Sequence, residues 1–129
     1  MPRSITLSFP WFPKELGANA KPHRMAKARA TKEYRFLCRM YTRAQTWRLK
    51  ERVPIPSLKS PVLATTTFYV DSKRRYDLDN LDASLKPMWD GVVDAGIIAD
   101  DDYKHLRHAE SKLVVGKEKR VEVRLEEVE

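Results

Sequence analysis

Residues 61–70 read Pro-Val-Leu-Ala-Thr-Thr-Thr-Phe-Tyr-Val, and residues 71–96 continue Asp-Ser-Lys-Arg-Arg-Tyr-Asp-Leu-Asp-Asn-Leu-Asp-Ala-Ser-Leu-Lys-Pro-Met-Trp-Asp-Gly-Val-Val-Asp-Ala-Gly. The first run is dense in β-branched and aromatic side chains, which suit a pleated, packed surface, and it predicts a central strand. The second opens on a polar, strongly basic connection, Asp71 to Tyr76, and then changes period. From about Asn80 to Asp94 the apolar residues Leu81, Leu85, Met88, Trp89 and Val92 recur at three- and four-residue spacing, which predicts a helix with one buried face. Pro87 has no amide hydrogen and predicts a kink or a fresh turn there, and Ala95-Gly96 predicts the end.

Upstream, Ile5, Leu7 and Phe9 alternate with Thr6 and Ser8, the period of a half-buried strand that Pro10 and Pro13 end. Residues 10–24 carry Pro, Gly, Asn and Lys and predict a loop. From about Met25 to Arg52 the pattern is helical. Ala30, Tyr34, Leu37, Tyr41 and Ala44 form an apolar stripe flanked by Met40 and Trp47, and Lys32, Arg35, Arg39 and Arg43 form a basic one. Val53-Pro54-Ile55-Pro56 stops the helix. Downstream, residues 105–115 and 119–125 predict a terminal hairpin turning near Gly116 and Lys117, with Val121, Val123 and Leu125 alternating with Glu122, Arg124 and Glu126. The order strand, helix, strand, helix, strand, strand predicts an α+β fold: one small domain over residues 1–129, with a mixed sheet and two main helices.

At 129 residues such a domain can bury a core without disulfide staples. A hydrophobic fraction of 42% against 33% charged residues excludes a disordered chain. The single cysteine, Cys38, excludes an intrachain disulfide and a Cys-based zinc site, and is expected as a small buried hydrophobe. No apolar run approaches the roughly 20 residues of a membrane span, and the N-terminus lacks a signal-peptide pattern, so a cytoplasmic protein is expected. The net charge of +7 is unevenly placed: residues 1–76 carry +13 and residues 77–129 carry −6. A basic surface attracts phosphate polymers and releases their counterions. Clustered carboxylates in such a chain are costly unless a cation sits among them.

Two acidic groups stand out. In Asp77-Leu78-Asp79-Asn80, carboxylates two apart on an extended segment point to one side and can face one ion; alternatively Asp79 only caps the helix that follows. Asp100-Asp101-Asp102 is either a solvated loop or the second half of that site. Magnesium takes hard oxygen ligands, often one or two carboxylates completed by water and substrate phosphate, and the two clusters joined by one helical unit can meet around it. Lys86 lies between them, either to offset carboxylate charge and stabilise a phosphate in flight or as a plain surface lysine. An EF-hand is excluded, because counting from Asp77 its glycine and glutamate positions hold Asp82 and Met88. His105 and His108 would face opposite sides of a strand and are expected to be structural or surface residues. Lys73, Arg74 and Arg75 stand directly before Asp77, where cations can hold a phosphodiester backbone; the stripe of Lys32, Arg35, Arg39 and Arg43 is either a second DNA contact or a solvated face.

At these residues the chain resembles the RusA family of Holliday-junction resolvases. The resemblance rests on Arg74-Arg75-Tyr76-Asp77-Leu78-Asp79-Asn80-Leu81, then Leu85-Lys86-Pro87, then Asp90-Gly91-Val92-Val93-Asp94-Ala95-Gly96-Ile97-Ile98, and Asp100-Asp101, and it extends over about residues 5–125. It implies a small homodimeric nuclease of bacterial or phage origin that needs Mg²⁺, with Mn²⁺ as a substitute, and cuts four-way DNA junctions by paired nicks in recombination and repair. By position it implies that Asp77, Asp79 and Asp101 are the essential aspartates, with Asp100 beside the metal, and that Lys86 is the catalytic lysine. In some family members that lysine follows Asp-Asn-Leu more closely, at the position of Ala83 here. A four-way junction is close to two-fold symmetric, so paired nicks call for two sites related by a dyad. A non-catalytic DNA-binding module and a general flap or branched-DNA nuclease are the competing classes.

Overall fold

The 61–70 run forms β4 (Val62–Val70), which lies in the interior of the sheet in the computed structural model. The structure describes residues 2–17, 20–21, 23–48 and 51–128. Burial alternates along all of β4, with Val62, Ala64, Thr66, Phe68 and Val70 turned to the core. On one side β4 pairs antiparallel with β7 (Arg120–Glu127), which pairs antiparallel in turn with β1 (Ser4–Pro10). The register stacks Phe9, Val121 and Phe68 in one buried row and Leu7, Val123 and Thr66 in the next. The alternation of Ile5, Leu7 and Phe9, and of Val121, Val123 and Leu125, has its cause here, since each apolar residue meets another across the strand.

On its other side β4 pairs in parallel with β5 (Leu106–His108) and then β6 (Lys112–Val115). From Ala64 to Thr67 the three steps of β4 are matched by four, His108 to Lys112, so the chain bulges between β5 and β6. The sheet is therefore mixed, with helices against one face, and the domain is α+β.

The expected terminal hairpin does not form. β6 and β7 flank β4 on opposite sides, and the Gly116 amide donates to the Val70 carbonyl at 2.7 Å as the chain crosses the end of β4. Both edges of a buried strand need hydrogen-bond partners, and that need overrides the local hairpin pattern.

α1 (Arg24–Gln45) begins as expected but stops at Gln45 rather than near Arg52. The Thr42 and Thr46 hydroxyls donate back to the Cys38 and Thr42 carbonyls, both at 2.7 Å, which weakens the last turn. Trp47–Arg48 (β2) and Val53–Pro54 (β3) pair as a small ribbon beyond it; residues 49 and 50, within the expected helix, lie outside the described residues. The buried face of α1 is Ala30, Tyr34, Cys38 and Thr42, and Leu37 and Tyr41 of the expected stripe are exposed. Close helix packing explains the rotation. α1 crosses α3 (Lys86–Asp94) at Gly91, where an added Cβ would lie 2.5 Å from the Arg35 carbonyl oxygen and 3.0 Å from Cys38 Cβ. Only a small group fits at that crossing, so Cys38 faces Gly91 and its neighbour Leu37 turns out, while Tyr34, one turn earlier, is buried away from the crossing point.

The expected helix over 80–94 is two helices, α2 (Leu78–Ala83) and α3, broken at Ser84-Leu85. Pro87 sits in the first turn of α3, where its missing amide leaves no bond unmade. The predicted face of Leu81, Leu85, Met88, Trp89 and Val92 is buried. Gly96, at φ 83°, ends the unit in the left-handed region that glycine tolerates.

Candidate functional site

The break between α2 and α3 shapes the site. Asp77 is the N-cap of α2 and accepts hydrogen bonds from the amides of Asp79 at 3.0 Å and Asn80 at 3.5 Å. The cap is thus Asp77, and Asp79 stands in the first helical turn rather than on an extended segment. Both side chains are exposed. Asp79 and Asp82, three apart on α2, share a helix face.

Below α2 a cleft of about 380 Å³ opens between α3, the loop before β5 and the β5–β6 bulge. Asp82, Lys86, Trp89, Asp101, His108 and Ser111 line it, and Thr66 of β4 reaches it from the sheet. Lys86 Nζ donates to Asp90 Oδ1 at 3.0 Å, four residues along α3, and makes a short ion pair with Asp101. The hydrogen bond to Asp101, then that to Asp90, raises the lysine pKa, and the Lys86 ammonium holds the Asp101 carboxyl below its usual range. Asp82 Oδ1 accepts from the Ser111 hydroxyl at 2.6 Å. The His108 ring meets Trp89 edge-on with centroids 5.1 Å apart, and burial lowers its pKa against the opposing charges of Asp82 and Asp101.

Asp101 and Lys86 are therefore in contact. Asp100 belongs to another group. Its carboxylate, that of Asp102 and the His105 ring offer three ligand atoms within 4.8 Å of one another, with His105 Nδ1 2.6 Å from Asp102 Oδ1. Among the described residues no other trio of such side chains is that close, so Asp77, Asp79 and Asp101 do not converge to that distance. His105, expected to be structural or surface, hydrogen-bonds its own loop, and His108 lines the cleft.

The basic residues divide. Lys73, Arg74 and Arg75 are exposed, with the Arg74 guanidinium 4.9 Å over the Tyr76 ring. Lys32 and Arg43 are exposed too. Arg35 is engaged within the protein through a forked pair with Asp94 at 2.7 and 2.9 Å. Arg39 is half-buried and its Nε has no hydrogen-bond partner among the described residues.

Sequence reasoning missed Asp82, Asp90, His108 and Ser111. Two of these had a signal: Asp82 is three residues past Asp79, and Asp90 four past Lys86 on the same helix. His108 and Ser111 had none, because the bulge beside β4 brings them in.

No protein-family model matches the chain. A protein of Xylella fastidiosa (strain Temecula1 / ATCC 700964), described only as an uncharacterized protein, is 28% identical over 103 residues, covering 80% of this chain. The chain spans 63% of that relative's length. Among the described residues no helix is long and apolar enough to cross a membrane.

Proposed function

We propose that the protein is a divalent-metal-dependent endodeoxyribonuclease acting on branched DNA, a resolvase of four-way junctions as the RusA resemblance implies. One observation carries the reading: a cleft on an otherwise basic protein that Asp82 lines together with the paired Asp101 and Lys86, with exposed Lys73, Arg74 and Arg75 on the segment leading into α2. Carboxylates repel a phosphate unless a cation stands between them, so their presence beside a basic run favours metal-assisted chemistry over simple binding.

The donor set suits a hard cation such as Mg²⁺, which carboxylate oxygens and water satisfy. Asp101, Asp79 and Asp77 would hold it only once drawn closer together than they stand here, with Asp100 adjacent. Bound there, the ion supplies an activated water and a charge clamp on the phosphate. The chain's own residues do the rest. Lys86 places a fixed positive charge at the cleft for the phosphate oxygens. Lys73, Arg74 and Arg75 hold the strand by its backbone. A symmetric dimer, inside a bacterial host cell, would set two such sites on the two strands of a junction.

One observation favours a non-catalytic binding module instead. Asp77 caps a helix and Asp101 pairs with Lys86, so both carboxylates already have structural work. Cleavage of a four-way junction, a flap and a linear duplex, each with and without Mg²⁺, separates the readings. Paired nicks in the junction that require Mg²⁺ are expected. Binding without cleavage in either Mg²⁺ or Mn²⁺ would establish the binding module, and equal cutting of flaps and junctions a general branched-DNA nuclease.

A further inference from the structure

We infer that Asp90 is the positioning residue that aims Lys86 into the cleft. The Lys86 side chain is 64% exposed. A four-carbon stem at that exposure samples many rotamers, and one surface ion pair does little to hold it. Here the ammonium has two anchors on different elements, Asp90 on α3 and Asp101 on the loop before β5. Any cation drawn to Asp101 competes with Lys86 for that carboxylate. Asp90 is set apart from this competition and retains the ammonium.

Asp90 in turn lies near a second cation. Its Oδ2 faces Arg35 Nη1 at 3.9 Å, and the Arg35 fork is fixed on Asp94 at 2.7 and 2.9 Å. α1 and α3 cross in close contact at Gly91, so this guanidinium and these carboxylates sit on two closely packed elements. Pre-orientation by a rigid support is what a charge-stabilising lysine needs, because small misplacement of such a group lowers rate more than affinity.

The catalytic part of this inference rests on the nuclease reading above, and a double-mutant cycle tests it. Single-turnover cleavage of a four-way junction in Mg²⁺ is measured for wild type, Asp90→Asn, Lys86→Ala and the double variant. Asp90→Asn is expected to lower the rate roughly tenfold while junction affinity stays within about twofold. In the Lys86→Ala background the same change should cost nothing more. An equal loss in both backgrounds means that Asp90 acts through the fold, and overturns the inference. A second readout needs no activity. In ¹⁵N-lysine NMR the Lys86 ammonium should give an exchange-protected signal in the wild type that Asp90→Asn abolishes; a wild-type ammonium without protection, or persistence of the signal in Asp90→Asn, overturns the positioning role. A wild type that cuts no DNA overturns the nuclease reading alone, and the NMR arm still decides the position of Lys86.

Discussion

The Ser111 hydroxyl donates to Asp82 Oδ1 at 2.6 Å, tying α2 to the bulge between β5 and β6 across the mouth of the cleft. One oxygen of Asp82 is thereby oriented by the sheet edge. Asp101, on the other wall, is held by Lys86. The cleft is thus built from one carboxylate per wall, each fixed by a neighbour from a different element.

Asp101→Asn is expected to abolish Mg²⁺-dependent cleavage while junction binding survives, since the amide keeps the shape and loses the charge that attracts the ion. Asp79→Asn should behave alike. Asp82→Asn should lower the rate less, because its hydrogen bond with Ser111 can persist. The measurement pairs single-turnover cleavage with binding in Ca²⁺. Near-normal cutting by Asp101→Asn would remove the cleft from the chemistry.

Lys73, Arg74 and Arg75 project from an exposed segment, and replacing all three by Ala should weaken DNA binding and flatten its salt dependence. The nonspecific part of the effect should be equal on junction and duplex, because phosphate contacts carry no sequence information. A salt titration of both substrates measures it. Unchanged slopes would transfer the contact to exposed Lys32 and Arg43 on α1, with Arg35 excluded by its pairing to Asp94.

Gly91→Ala would set a methyl 2.5 Å from the Arg35 carbonyl and 2.9 Å from the Arg39 amide, both of them backbone atoms that cannot rotate away. Overpacking of this kind costs about 1–3 kcal/mol. In urea the midpoint should fall while the slope stays constant. A midpoint equal to that of the wild type would mean that the α1–α3 crossing is looser than its geometry implies.

The Asp94 carboxyl is held below its usual range, first by hydrogen bonds from Arg35 and then by the charge of that residue. A depressed carboxylate adds stability that is present above its unfolded pKa of about 3.9 and is lost as pH falls through the lower folded value. Wild type should therefore be more stable than Asp94→Asn at neutral pH, and the gap should close as pH falls through the lowered folded pKa of Asp94. Both side chains are partly exposed, so the gap is modest and should shrink in high salt. Urea midpoints at neutral and acid pH report it; a gap that ignores pH would detach Arg35 from Asp94.

Much of the fold was legible from periodicity. Leu7 and Phe9, Val121 to Leu125, and Leu81 to Val92 bury the faces that their alternation or three-four spacing marks, because that spacing records which face of an element meets the core; β4 is legible as a strand only by its β-branched and aromatic composition. Pro87 marked the start of α3 for an equally local reason. The acidic and basic segments are also legible in the order of residues, which places Lys86 between the two acidic clusters but does not bring it against Asp101.

Tertiary structure decided what lies opposite each face. The alternation of Val121, Val123 and Leu125 is the same whether β7 pairs with β6 or with β4, and the unmet edge of β4 made the choice. The three-four spacing of α1 fits both the Leu37 and the Cys38 faces, and the close approach of Gly91 selected the smaller. Asp82, His108 and Ser111 became neighbours only through a bulge in a strand pair far apart in sequence. A residue's periodicity carries its orientation relative to its own element; which distant side chains it then meets is set by packing and by the hydrogen-bond demands of strands elsewhere in the chain.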